Sequence, residues 1–154
     1  MLIEVAYCMK TKILPVKVDT TLKIECWTYY KLAVIETMPN YMNWLSSHMN
    51  IYYAPMGSGI YFGNCPIPYS TDYYKDILNI EEIDLFEIKP QSIIEQIIRS
   101  IKNDYYYVLF LRTAQNEHHE AFIYGYDDNN KCFYSFSVQN NVFTDSIISY
   151  EQVY

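Results

Sequence analysis

The spacing of apolar and polar positions changes character along this chain, and each change predicts a different element. The first eighteen residues hold two short strand-like runs, 2–7 and 13–18, with Pro15 weakening the second. From residue 25 to 37 the pattern turns helical. That stretch follows Thr20 and Thr21, contains neither Gly nor Pro, and stops ahead of Pro39. A shorter amphipathic piece is predicted over 40–49, where Tyr41, Trp44, Leu45 and His48 fall at helical spacing. Residues 52–70 carry Pro55, Pro66, Pro68 and three of the four glycines, which predicts irregular loop. A strand is expected over 83–88.

The strongest helical signal spans 90–103. Pro90 suits a first-turn position, and Ser92 with Glu95 has the spacing of a capping box. Ile93, Ile94, Ile97, Ile98 and Ile101 form one apolar stripe, opposite Glu95, Arg99 and Lys102. Beyond it the period shortens to that of strands. Runs at 105–111 and 121–126 suit buried strands, 127–131 is turn chemistry, and 133–138 is the returning arm of a hairpin. A last strand is expected over 142–148. Ser149 and Gln152 then repeat the capping spacing, which predicts the start of a helix. Helices followed by a meander of strands is an α+β order. With 154 residues and no repeat or low-complexity linker, one domain over 1–154 is expected.

Composition narrows the function classes. Apolar types make up 51% and charged residues 19%, which disfavours a long disordered tail. The 18 Tyr and 7 Phe are the kind of excess that AT-rich coding produces, so no tyrosine is assigned a role on that ground. A net charge of −7 without a Lys/Arg cluster disfavours nucleic-acid binding. The opening MLIEVAYCMK has Glu4 within its apolar run and its basic residues after it, unlike an export signal, and no apolar stretch suffices to cross a bilayer. A cytoplasmic location with reduced thiols is therefore expected. Cys8, Cys26, Cys65 and Cys132 are scattered without C-x-x-C spacing, so neither a zinc site nor another cofactor is expected.

Two local features suggest chemistry when taken together. Cys26-Trp27 lies at the start of the first long helix, where free backbone N–H groups and the positive end of the dipole favour a thiolate. His119 stands at the entrance of an apolar strand, where a fixed imidazole can exchange a proton with such a thiol. Taken singly, a cysteine on an apolar helix is more often a small buried hydrophobe, and a histidine among Glu117, His118 and Glu120 is more often an exposed turn. Cys65, in Asn64-Cys65-Pro66, is a second thiol candidate, ranked lower because a following proline offers no helix N-terminus.

Residues 105–136 run YYYVLFL, then His119, then AFIYGYDD and a closing KCFYSF. This arrangement resembles the papain-like, cysteine-peptidase-like domains of the C39-like, butirosin-biosynthesis-H type found in antibiotic gene clusters. In that family the histidine strand ends in a Gly-[Tyr/Val]-Asp element, matched here by Gly125, Tyr126 and Asp127. Upstream, LPVKV, Cys26-Trp27, PNYMNWL and Asn64-Cys65-Pro66 are similar to the family's N-terminal half. The resemblance implies a papain-like fold with N-terminal helices packed on an antiparallel sheet. It also implies Cys26 as nucleophile and His119 as base. The implied activity is acyl transfer from a thioester, such as an acyl carrier protein, to a small-molecule amine. A peptidase cutting a leader peptide would use the same pair, and a non-catalytic papain-like binding or partner module is the remaining alternative.

The chain departs from the family pattern in three respects. Ser137 stands where relatives tend to carry an Asp that orients the histidine, leaving Gln139 or Asn140 as an amide substitute. Relatives that perform transfer are generally much longer. No glutamine ahead of Cys26 supplies an oxyanion donor, which leaves that role to the backbone N–H of Cys26. An acidic carrier would also meet an acidic chain, so the encounter needs a local basic face drawn from Lys17, Lys23, Lys31, Arg99, Lys102 and Arg112.

Overall fold

The computed structural model describes residues 10–18, 26–48, 50–53, 60–63, 72–81, 83, 89–112, 118–139 and 142–153. It contains both helices and an antiparallel sheet, the α+β class expected. The chain divides into two compact units. The first comprises Met1–Leu14, Phe86–Ser137 and Asp145–Tyr154, and the second Pro15–Leu85 and Val138–Thr144.

The first unit is organised around one long strand, β5 (His118–Asp127). Two strands share one of its edges in succession. β4 (Tyr107–Arg112) pairs with it from His118 to Ile123, and β1 (Thr11–Ile13) pairs from Gly125 to Asp127. β6 (Cys132–Gln139) pairs along the other edge, and β7 (Val142–Ser149) follows β6 in the sheet. Between β5 and β6 the register shifts at Ile123/Gly125, so Tyr124 is an extra residue in a bulge. The Leu14 N–H donates to the Tyr124 carbonyl at 2.8 Å, extending the β1 contact as far as the bulge.

The strand expected over 13–18 is instead β1, Thr11–Ile13. The strand ends at Ile13, because Leu14 makes the last ladder-like bond and Pro15 has no N–H to continue it. The earlier run, 2–7, lies outside the described residues. Gly125 is required by the approach of β1, since a Cβ there would lie 2.8 Å from the Lys12 carbonyl oxygen.

Helix α3 (Pro90–Lys102) belongs to this unit. Ile94, Ile97 and Ile101 of its predicted stripe are buried. Its start differs from the capping-box expectation. Lys89 is the N-cap, with no side-chain cap bond, and Pro90 occupies the first turn. Ser92 is therefore inside the helix, its N–H donating to the Lys89 carbonyl. Fixed proline geometry has set the boundary here in place of a hydroxyl cap.

The C-terminal end of α3 is a Schellman turn. Asp104 takes the left-handed conformation at φ 64°, and the Tyr105 N–H bonds the Ser100 carbonyl at 2.9 Å. The Lys12 ammonium caps this end, reaching the Lys102 carbonyl at 2.9 Å and Asp104 at 2.7 Å. A cation from β1 thus closes the negative end of the helix.

Asp127 closes the β5–β6 hairpin. Its Oδ1 accepts the N–H groups of Asn129 and Asn130 at 2.9 and 3.1 Å, and its Oδ2 accepts the Asn130 side-chain amide at 2.8 Å. These bonds, that from the Asn130 backbone first, hold its carboxyl below the usual carboxylate range. A depressed folded-state value contributes stability above the unfolded value and loses it as acid protonates the folded form. Wild-type protein is therefore expected to lose stability on acidification below about pH 4 more steeply than Asp127→Asn, as read by urea midpoints across pH.

The predicted strand at the end of the chain is present as β7. Its capping signal also forms, with the Ser149 N–H bonded to Gln152 Oε1 at 2.8 Å, and it opens a 3₁₀ turn over Tyr150–Val153.

The second unit holds α1 (Cys26–Ile35) and α2 (Tyr41–His48), close to their expected bounds. Thr28, Tyr29, Tyr30, Leu32, Ala33, Val34 and Ile35 of α1 are all buried, so the helix is enclosed on most sides. Phe143 stacks on Tyr29 with ring centroids 3.5 Å apart. Thr37 ends α1 by bonding the Val34 carbonyl through its hydroxyl at 2.6 Å. Asn40 then turns at φ 62°, a conformation Asn tolerates, and its carbonyl receives the Asn43 N–H at the head of α2.

The loop expected over 52–70 is also corrected. It overlaps a two-stranded antiparallel hairpin of β2 (Asn50–Tyr53) and β3 (Ile60–Gly63). Both strands are rich in Ile, Tyr and Phe, residues that favour extended backbone. Residues 54–59 and 64–70 lie outside the described residues, as do 84–88 of the strand expected over 83–88.

Candidate functional site

Among the described residues α1 begins at Cys26, which follows Glu25 in the sequence. His119 is the second residue of β5 and pairs with Leu111 of β4. Ser137, half-buried on β6, follows the Phe136 that pairs with Phe122, placing it one register step further toward His119. Gln139 is the last residue of β6. His119 and Ser137 belong to the first unit, and Cys26 and Gln139 to the second. The side chains of Cys26, His119 and Gln139 lie outside the described residues, as do Cys65, Asn140, Lys23 and Cys8 altogether.

The Gly125-Tyr126-Asp127 element has a complete structural account. Gly125 admits β1, Tyr126 is fully buried, and Asp127 caps the hairpin turn. These residues build the strand that carries His119, and none of them needs to touch a substrate.

Cys132 is a free cysteine, and it is buried. Burial, with the charge of Asp127, pushes its thiol up from the ordinary value, which makes it a poor nucleophile at neutral pH. No group of three potential metal ligands occurs among the described residues. No helix among them is long and apolar enough to cross a membrane.

Several of the cations considered for a carrier-binding face are already engaged. Lys17 pairs with Glu36 at 3.6 Å and lies over the Tyr41 ring at 5.1 Å. Lys31 lies over Tyr74 at 4.9 Å, and Lys102 over Tyr126 at 5.9 Å. Cation–π contact of this kind leaves the charge in place but fixes where it points.

A cluster in the second unit was not legible as a site. His48, at the end of α2, stacks on Trp44 with centroids 4.3 Å apart and planes 10° from parallel. Its Nε2 lies 3.5 Å from Asp76, which also accepts the Trp44 indole N–H at 3.1 and 3.2 Å. Tyr73 meets the imidazole edge-on at 5.7 Å and donates its hydroxyl to the His48 carbonyl. Trp44 and His48 four apart on a helix signalled the stack, but nothing local signalled Asp76.

Ser47, His48 and Asp76 have the connectivity of a Ser-His-Asp triad without its chemistry. The His48 Nδ1 lies 2.9 Å from both the Trp44 carbonyl and the Ser47 Oγ. The Ser47 hydroxyl also lies 2.8 and 3.1 Å from the carbonyls of Trp44 and Asn43, so it is held against its own helix rather than presented as a nucleophile. The cluster is an anchor for the end of α2.

Set against known proteins, the chain matches no family model, no curated protein sequence and no solved structure.

Proposed function

We propose that this chain is a papain-like cysteine acyltransferase of specialised metabolism, with Cys26 as nucleophile and His119 as proton carrier. The observation that supports the reading is that, among the described residues, α1 begins at Cys26. Unpaired N–H groups and the dipole at a helix start favour the thiolate. The position of His119 at the head of β5, before the Gly125-Tyr126-Asp127 hairpin, supports it further. Ser137 or Gln139 would orient the imidazole.

In the first step the Cys26 sulfur attacks the carbonyl carbon of an acyl thioester, and the donor's C–S bond breaks. The donor thiolate leaves with the proton that His119 took from Cys26. An amine then attacks the acyl-enzyme, the Cys26 C–S bond breaks, and His119 moves the amine's proton to the departing sulfur. The products are an amide and the regenerated thiol. An acyl carrier protein and a small amine are the proposed donor and acceptor, acting in the cytoplasm. A leader peptide is the alternative acyl donor for the same pair.

Iodoacetamide labelling of native protein, read by mass spectrometry at each cysteine, tests the pair. Cys26 is expected to label rapidly at neutral pH, more slowly in His119→Ala, while Cys132 stays unlabelled until unfolding. Slow labelling of Cys26 that ignores His119 would replace catalysis with a binding role.

A further inference from the structure

Among the described residues β7 ends the five-stranded sheet, and its outer edge is built to pair with a strand like itself. We propose that Asp145–Ser149 of β7 pairs antiparallel with the same segment of a second copy of this chain, about a two-fold axis at Ile147, joining the two sheets into one. The inference is independent of Cys26 and its chemistry.

An antiparallel strand bonds a given neighbour through alternate residues and turns the N–H and C=O groups of the others away from it. The Tyr150 N–H donates to the Lys131 carbonyl at 2.9 Å, and the Ser146 carbonyl accepts from the Ser135 hydroxyl at 3.2 Å. Even-numbered positions of β7 therefore face β6, and the main-chain groups of Asp145, Ile147 and Ser149 face outward. The Ser149 N–H obeys this parity, since it goes to Gln152 Oε1. That bond ends the open run. Neither proline nor lysine, common protections of an exposed edge, occurs between Asp145 and Ser149.

Ile147 is 65% exposed, more than any other large apolar side chain among the described residues. It completes a row across the sheet. Ile13, itself exposed, pairs with Gly125, and Gly125 pairs with Tyr134. The Ser135 and Ser146 hydroxyls meet at 2.8 Å, a register that sets Tyr134 beside Ile147. A second copy continues this row past the edge.

Charge selects the register and makes the segment its own match. Asp145 is the single charged residue of β7. Centring the pair on Asp145 would oppose two carboxylates, and centring it on Ser146 would set each Ile147 against one. Centred on Ile147, apolar meets apolar, and each Asp145 lies opposite a Ser149 hydroxyl that can donate to it. The carboxylates are then about 14 Å apart along the strands, beyond the Debye length of about 8 Å at physiological salt. The main chain agrees: Ile147 exchanges both bonds with its counterpart, and the Asp145 N–H meets the open Ser149 carbonyl. So short a pairing covers less than the roughly 1,200 Å² at which stable interfaces begin, so the dimer is weak, with a dissociation constant on the order of 0.1–1 mM.

Sedimentation equilibrium of the full chain under reducing conditions, from about 10 μM to about 1 mM, spans that range. The wild-type mass is expected to rise from 18.3 kDa toward twice that value, while Ile147→Lys, which places a charge at a position already in solvent, stays at 18.3 kDa. Mild oxidation tests the register. Ile147→Cys is expected to form a dimer bridged through position 147, mapped by mass spectrometry, because Cα atoms of a hydrogen-bonded pair lie about 5.5 Å apart. Asp145→Cys, about 14 Å from its counterpart, is expected to form no bridge at position 145. A wild-type chain that stays monomeric throughout would overturn the proposal, and so would association that Ile147→Lys leaves unchanged. Equal bridging through positions 145 and 147 would overturn it as well.

Discussion

Cys26→Ala protein mixed with acyl N-acetylcysteamine thioesters is expected to gain no acyl mass, while wild-type protein gains a single acyl group. Amide formation with added amines should fall by about a thousandfold or more, the scale of losing a covalent nucleophile. Alanine at the first position of a helix is well tolerated by the backbone, so the loss should come without unfolding. Intact mass spectrometry and circular dichroism on the same sample separate the two effects. Acylation persisting in Cys26→Ala would transfer the nucleophile to another residue, and tryptic mapping would show whether Cys65 carries it.

Phe133→Ala should be the most damaging single change in the first unit. Phe133 has 0% exposure, its ring lies 4.6 Å from that of Tyr150, and it pairs across the sheet with Tyr126, also fully buried. Removing a buried aromatic ring costs about 3–5 kcal/mol, through lost transfer energy and the cavity left behind. Against a total stability on the order of 5–15 kcal/mol, that removes a large share. A denaturant midpoint well below that of wild type for Phe133→Ala, with most of the stability recovered by Phe133→Leu, is the expected pattern. Ile147→Ala, at a position 65% exposed, should change the midpoint little.

Local spacing carried much of the secondary structure. The isoleucines of α3 sit three and four residues apart, and the 127–131 turn separates two apolar runs, so α3 and the β5–β6 hairpin were legible. The errors came where punctuation residues outweighed strand formers or where the partner lay far away. Pro55 and the glycines concealed β2 and β3, although NIYY and IYFG are strand sequences. The N-terminal strand was placed too late because its partner, Gly125–Asp127, is set by tertiary pairing and not by neighbouring residues. For the candidate site, the helix that carries Cys26 and the strand that carries His119 were legible. The Trp44–His48–Asp76 arrangement was not, since it joins side chains 32 residues apart in sequence through a fold the local pattern does not encode.

The succession of β4 and β1 along one edge of β5 also sets an order of events during synthesis. Thr11–Ile13 leaves the ribosome more than a hundred residues ahead of its partners, Gly125–Asp127. Closing so long a loop is entropically unfavourable until β5 exists to receive it. Its ammonium at Lys12 must likewise wait for α3 before it can cap Lys102 and Asp104. The nascent chain therefore carries Thr11–Ile13 without its partners until Gly125–Asp127 has been made, and the first unit closes only after β5 has emerged.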